Sequence, residues 1–233
     1  MNMRPLYLLS LPGLTQSLLE RGRERASAIS ALAKECGERL LIPVVPAWGA
    51  ISQATLLSGV LPQDHGVCTG AEPLGTPTFW QRTQQRIKEL SVCAALWDSH
   101  LKVNTQQGPV DGTESRVRNG EFVKKLLQGT ACDVTAIRMK GIWAASQEHG
   151  PDSEQALHRL ERMDNIVAAF LAKARERNAA LCITGEHGVN LVKRRISSRT
   201  VFDALGPTGG FQCYGQVGFF ESFFPEPEEI AEG

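Results

Sequence analysis

Four places in the chain combine residue types that can hold a cation or move a proton. The apolar run Ala180–Thr184 (ALCIT) is followed at once by Gly185-Glu186-His187-Gly188, a carboxylate beside an imidazole. A second run, Ser91–Trp97, is followed by Asp98 and His100; Gln63-Asp64-His65-Gly66 is the third place, and Glu148-His149 with Asp152 the fourth. Carboxylate and imidazole together suit a divalent metal or an acid–base pair. Zinc takes three or four N, O or S ligands converging at ~2.0–2.3 Å. Glu186 and His187 supply two, and no histidine follows His187 to complete the set.

Each place also has a plain structural reading. Glu186-His187 reads equally as a polar turn with a hydrogen-bonded histidine. His65 can cap or pack, and Asp98 and His100 can lie in a solvated loop. Asp152 caps the helix that follows it, with Gln155 completing a capping-box pattern. His158 falls within that helix, on an exposed face. Lys193-Arg194-Arg195 either faces an anion or is a solvated basic run.

The elements that must position these residues alternate along the chain. Leu6–Leu11 is a continuous apolar run, as in a strand covered on both faces. Thr15 to Cys36 reads as one helix stopped by Gly37. Leu40–Val45 reads as a second strand closed by Pro46, and Ser52–Ser58 as a short helix. Val60–Gly75 is loop-like. Thr76-Pro77 opens a helix running to Leu90, Ser91–Trp97 is a third strand, and Lys102–Asn119 a polar connection. Glu121–Leu127 is a short helix and Val134–Met139 a strand. Ser153–Arg177 is the clearest helix, with Leu157, Leu160, Met163, Val167, Phe170, Leu171 and Ala174 along one face. Ala180–Thr184 is the next strand, and Ser198 caps a last short helix through Leu205. Strands alternating with helices give an α/β fold, a mostly parallel sheet with helices on both faces. Ligands in such sheets bind beyond the carboxyl ends of the strands.

Composition narrows the class. The 233 residues carry 25 Lys+Arg against 25 Asp+Glu, and 42% are hydrophobic. That is ordinary for a globular chain and excludes a disordered one. Zero net charge argues against nucleic acid as a partner. No apolar run approaches the ~18 residues of a membrane helix. Leu6–Leu11 is too short for the core of a signal peptide, so the expected compartment is the cytoplasm. There the six scattered cysteines are expected as reduced, mostly buried thiols. One domain over residues 1–225 with an acidic tail over 226–233 is the expected organisation.

Three segments, in order, carry a resemblance: 40–66 (LLIPVVPAWGAISQATLLSGVLPQDHG), 150–177 (GPDSEQALHRLERMDNIVAAFLAKARER) and 181–205 (LCITGEHGVNLVKRRISSRTVFDAL). Together they resemble the type I phosphodiesterase/nucleotide pyrophosphatase branch of the alkaline phosphatase superfamily, and LYLLSLPGL fits that fold's first strand. The chain is shorter than typical members, and the missing length falls in the middle, where they carry a cap insertion. The resemblance implies phosphoester hydrolysis with two divalent metals, usually zinc, and a Thr or Ser nucleophile at a helix N-terminus.

The residues depart from that pattern. Pro12 stands where the first metal Asp would precede Gly13-Leu14. Counting back from Gly59 of Ser58-Gly59 places the nucleophile on Gly49, which has no side chain; Ser52, Thr55 and Ser58 occupy no matching place. The late Asp-His-Gly is Glu186-His187-Gly188. Around Trp143–His149 the middle ligand pair is represented only by Glu148 and His149, at a different spacing, and the final His is absent. The expectation is a divergent member with a degenerate two-metal site, catalytically weak or silent, that binds a phosphorylated small molecule or a protein partner. Glu186 and His187 would hold zinc or another divalent metal if any binds, and the backbone N–H groups at Gly49 and Ala50 would hold a phosphate. The alternative is an active hydrolase with a reduced metal site around Glu186 and His187.

Overall fold

The computed structural model describes residues 4–44, 47, 49–68, 72–98, 101–105, 123, 127–128 and 132–191, and the backbone of 209–214 and 217–222. Four parallel strands form the central sheet: β1 (Leu6–Ser10), β2 (Val92–Ala95), β3 (Val134–Arg138) and β4 (Ala180–Thr184), in the spatial order β2-β3-β1-β4. β1 pairs on both sides, Leu6 with Val134 and with Ala180, so Ser10, Arg138 and Thr184 end in one row. A separate antiparallel hairpin joins β5 (Gly209–Tyr214) to β6 (Val217–Ser222), which the sequence reading did not anticipate.

Side-chain alternation along the strands feeds two cores. Tyr7, Leu9 and Ile137 pack with α1 (Gln16–Arg21), α2 (Ser27–Cys36), α6 (Gly141–His149) and α7 (Glu154–Glu176) on one face. Leu8, Ala94 and Ala136 pack with α3 (Gly49–Ser58) and α5 (Phe79–Arg86) on the other. The remaining helix, α4, is the single turn Pro62–His65 within the expected 60–75 loop. Both faces of the sheet are therefore covered by helices, as the alternation of elements requires. Among the described residues no helix is long and apolar enough to cross a membrane.

Several expected boundaries move for local physical reasons. The single helix over 15–36 is two. Gly22 caps α1 with its N–H on the Leu18 carbonyl, and it lies where a Cβ would press on the Leu160 and Leu157 side chains of α7. Asp164 of α7 then restarts the helix from outside: its carboxylate accepts from the backbone N–H of Ala28 at 2.9 Å and of Ile29 at 2.8 Å, while Ala26 offers no side-chain cap. At α7 the cap is Ser153, which accepts from the N–H of Ala156 at 3.2 Å. Asp152 pairs with Arg21 at 2.7 Å instead. Thr78 and Gln81 form a reciprocal capping box, which starts α5 at Phe79, past Thr76-Pro77, and it ends at Arg86 rather than Leu90. Residues 141–149, without a predicted element, form α6, closed by Gly150.

Two expectations fail outright. Residues 40–44 are not a strand of the sheet, and Leu40, Leu41 and Ile42 stand exposed. Nor are all the cysteines reduced and buried. Pairing of β2 with β3 brings Cys93 and Cys132 to a Cα separation of 6.1 Å, and they are joined in a disulfide. Cys36, Cys68 and Cys182 are free and exposed. The helix expected over 198–205, residues 106–122 and the tail 226–233 lie outside the described residues. Of the segment 121–127, Val123 and Leu127 are described, both helical; Val123 is buried in the first core and Leu127 packs against it.

Candidate functional site

The carboxyl ends of the strands bring together residues that sequence reasoning singled out and others it passed over. Arg138, the last residue of β3, is the centre. Its guanidinium is forked onto Glu186, with Nε donating to Oε1 at 2.8 Å and Nη2 to Oε2 at 2.9 Å. Ser10, at the end of β1, donates a short hydrogen bond to the same Oε1. The side chains of Arg138 and Glu186 are 3% and 0% exposed, so this is an ion pair fully removed from water.

Asp98 extends the cluster on the other side. Its Oδ1 accepts from Lys140 Nζ at 2.6 Å and from Arg138 Nη1 at 3.2 Å. Its Oδ2 accepts from Gln53 Nε2 at 2.7 Å, and its backbone N–H donates to Gln53 Oε1 at 3.1 Å. Gln53 also donates to the carbonyl of Gly49 at 2.8 Å, which ties the first turn of α3 to the cluster. Burial alone would push the Asp98 carboxyl up, but Arg138, Lys140 and Gln53 together hold it below its ordinary value. A carboxylate with a depressed folded pKa stabilises the fold above the unfolded value of 3.8 and loses that contribution as pH falls through the folded one. Below about pH 4 the native protein is therefore expected to lose stability more steeply than Asp98→Asn, as checked by urea unfolding across acid pH.

His187 and Gly49 complete the rim. Gly13, at φ +85°, donates its N–H to the His187 carbonyl at 2.9 Å and so fastens the β1 turn to the turn after β4. A Cβ at Gly13 would lie 2.7 Å from the backbone nitrogen of Trp143, so only glycine fits. Pro12, beside it, uses its carbonyl to accept from the Trp143 N–H at 3.1 Å. The imidazole Nδ1 lies 3.2 Å from the Gly188 carbonyl, which leaves Nε2 facing α3. A Cβ built on Gly49 would meet His187 Nε2 and Arg138 Nη2 at 3.3 Å each, and Gln53 Nε2 at 3.7 Å. Three side-chain nitrogens thus converge on the point where the nucleophile's side chain would start.

The other predicted candidates lie elsewhere. His65 is buried and structural. Its Nδ1 accepts from the Val67 N–H at 3.1 Å, so Nε2 carries the proton and donates to Thr55 Oγ1 at 2.9 Å. Burial pushes its pKa down, with Asp64 opposing. Ser58 donates to the Ala54 carbonyl at 2.6 Å, and Ser52 is buried within α3. His149 stands 3.7 Å from Glu148 at the end of α6, and His158 stands 3.5 Å from Glu161 on the outer face of α7. His100 and Lys193-Arg194-Arg195 lie outside the described residues. Arg138, Lys140, Gln53 and Ser10 were missed. The available signal was Arg138 itself, a charge closing the otherwise uncharged strand VTAIR at its carboxyl end.

This donor set does not fit the two cations that the resemblance implies. Both oxygens of Glu186 are occupied by a guanidinium, and both oxygens of Asp98 by Lys140, Arg138 and Gln53. Among the described residues no three His, Cys, Asp or Glu side chains are grouped to hold a metal. A divalent ion about 4 Å from the guanidinium would cost about 8 kcal/mol at an effective dielectric of ~20. The carboxylates are neutralised from within the chain.

No curated protein matches the chain. The type I phosphodiesterase/nucleotide pyrophosphatase family matches it over residues 6–104 and 74–209, which takes in the four parallel strands and every residue of the rim. An α/β core with a parallel sheet is what an alkaline-phosphatase-like member requires. By that match the chain belongs to the type I phosphodiesterase/nucleotide pyrophosphatase family, within the alkaline phosphatase superfamily.

Proposed function

We propose that this family member is a non-hydrolytic domain that binds a phosphorylated small molecule through protein nitrogens rather than through metal ions. The observation that carries the reading is the Arg138–Glu186 ion pair, with Lys140–Asp98 beside it. Two cationic side chains balance two carboxylates, so no negative charge is left over to hold a divalent ion. With glycine at position 49 the family's nucleophile has no side chain to come from, and Ser10, the hydroxyl at the end of β1, is committed to a Glu186 carboxylate already paired with Arg138.

Binding is supported by the convergence of nitrogens at Gly49. Arg138 Nη2 and His187 Nε2 both face the bare Cα of Gly49, each 3.3 Å from where a Cβ would stand, so a phosphate oxygen lying beyond that glycine would meet both. The first turn of α3 adds backbone N–H groups and the positive end of the helix dipole. With its Nδ1 facing the Gly188 carbonyl, His187 turns Nε2 toward the ligand. An active hydrolase built on Glu186 and His187 is disfavoured by the same ion pair, which leaves Glu186 no free oxygen.

Titration calorimetry with inorganic phosphate and with p-nitrophenyl phosphate tests this. The expected result is saturable binding of both that is lost in His187→Ala and in Gly49→Ala, with no release of p-nitrophenol in the presence of zinc or manganese. Metal-dependent turnover abolished by His187→Ala would establish the hydrolase instead. Absence of binding would remove the ligand half of the proposal.

A further inference from the structure

Away from the rim, hydrogen-bonding side chains gather at a cavity of about 530 Å³ between α6 and α7. Its α7 wall is formed by Gln155, His158, Arg159, Arg162 and Asn165. These positions recur every three or four residues, so they share a helix face turned away from Ala156, Leu160, Val167 and Phe170 in the first core. His149, in the last turn of α6, closes the other side, with the buried Ala145 one turn before it. The volume falls within the ~300–1,000 Å³ of small-molecule sites.

The charge around this cavity is uneven. Most carboxylates near it are matched by a partner outside it. Asp152 and Glu154, at the start of α7, pair with Arg21 at 2.7 Å and with Arg25 at 2.8 Å. Asp164 is turned inward onto the first N–H groups of α2. Glu161 is the one carboxylate lining the cavity among the described residues, and it stands 3.5 Å from His158. Glu148 stands 3.7 Å from His149. Two guanidiniums therefore face the space against one carboxylate, and among the described residues Arg162 makes no ion pair. A cation is a poor fit, because no three His, Cys, Asp or Glu side chains are grouped here to hold one among the described residues.

The donors fall into two sets along the helix. Arg162 and Asn165 are three residues apart, and Gln155 and Arg159 four, so each pair shares one patch of the surface. Each pair joins a planar fork, which matches two oxygens of a carboxylate or phosphate, to a neutral amide donor. From Gln155 to Asn165 the helix rises ~15 Å, more than one such group spans. We infer that the α6–α7 cavity binds a small organic molecule carrying at least two oxyanion groups, phosphates or carboxylates, at a site separate from the rim. Arg162 and Asn165 hold one group. Gln155 and Arg159 hold the other, beside His149.

Calorimetry with a hexose bisphosphate, citrate and inorganic phosphate tests this in the His187→Ala chain, where the rim no longer competes. One saturable event per chain is expected for the bisphosphate or citrate, at least about tenfold tighter than for inorganic phosphate. The tighter of the two probes assigns phosphate or carboxylate chemistry. Adding Arg162→Ala, an exposed substitution that leaves the core untouched, is expected to weaken binding about tenfold. Glu161→Gln is expected to strengthen it about threefold, since it removes the carboxylate from the wall. In the unmodified protein, the side-chain amide NMR signals of Gln155 and Asn165 are expected to shift on titration with the tighter probe. No saturable binding, inorganic phosphate binding as tightly as both probes, an affinity indifferent to Arg162→Ala, or unmoved amide signals would overturn the inference.

Discussion

Arg138→Met lowers the unfolding free energy by about 3–5 kcal/mol, because it leaves Glu186 buried, ionised and without its cation. Methionine matches much of the volume of arginine, so the loss reports charge rather than a cavity. Ser10 keeps its hydrogen bond to Glu186 and Lys140 stays with Asp98, but neither replaces a bidentate guanidinium on a side chain with no exposure. The double substitution Arg138→Met with Glu186→Met costs far less than the single one, since removing both charges removes the desolvation penalty along with the attraction. Urea unfolding of the two variants and the native protein measures the coupling. A single-variant loss below about 1 kcal/mol would mean that the pair is hydrated and is not the closed unit described above.

Asp164→Ala is the second large effect, at about 3–6 kcal/mol for two hydrogen bonds to a charged acceptor. Asp164 is buried on α7, and its carboxylate takes the N–H groups of Ala28 and Ile29 that open α2. Hydrogen bonds to a charged acceptor contribute about 1.5–3 kcal/mol each, and the carboxylate also faces the positive end of the α2 dipole. No residue of α2's own N-terminus substitutes, because Ala26 has no capping atom. Loss of the cap frays α2 before the rest of the fold, so early hydrogen exchange confined to 27–30 accompanies the drop in urea midpoint. A drop without that local exchange would place the effect elsewhere in the core.

Much of this arrangement was legible in the sequence. Continuous apolar runs marked β1 and β4, and the 3.6-residue stripe from Leu157 to Ala174 marked α7. Glu186 and His187 were correctly placed at a strand end, because the carboxyl ends of parallel strands are where such residues converge. The chemistry of the pair was not legible. A search for metal ligands looks at acids and histidines, and the residue that decides their role is a cation from another strand, 48 positions away in sequence. Gly22 was equally opaque: the space beside it is filled by Leu157 and Leu160 of α7, a tertiary contact that local periodicity does not reveal. Residues 40–44 carry every local mark of a strand, yet strand pairing is settled by neighbours, and here the pattern ran ahead of the pairing.

The central claim is that the rim is neutralised by Arg138 and Lys140 and takes up no divalent cation. Elemental analysis after saturation with zinc or manganese, followed by desalting, addresses it directly. The account predicts metal well below one equivalent per chain, unchanged by Glu186→Gln. One or two retained equivalents that vanish in Glu186→Gln or His187→Ala would contradict it.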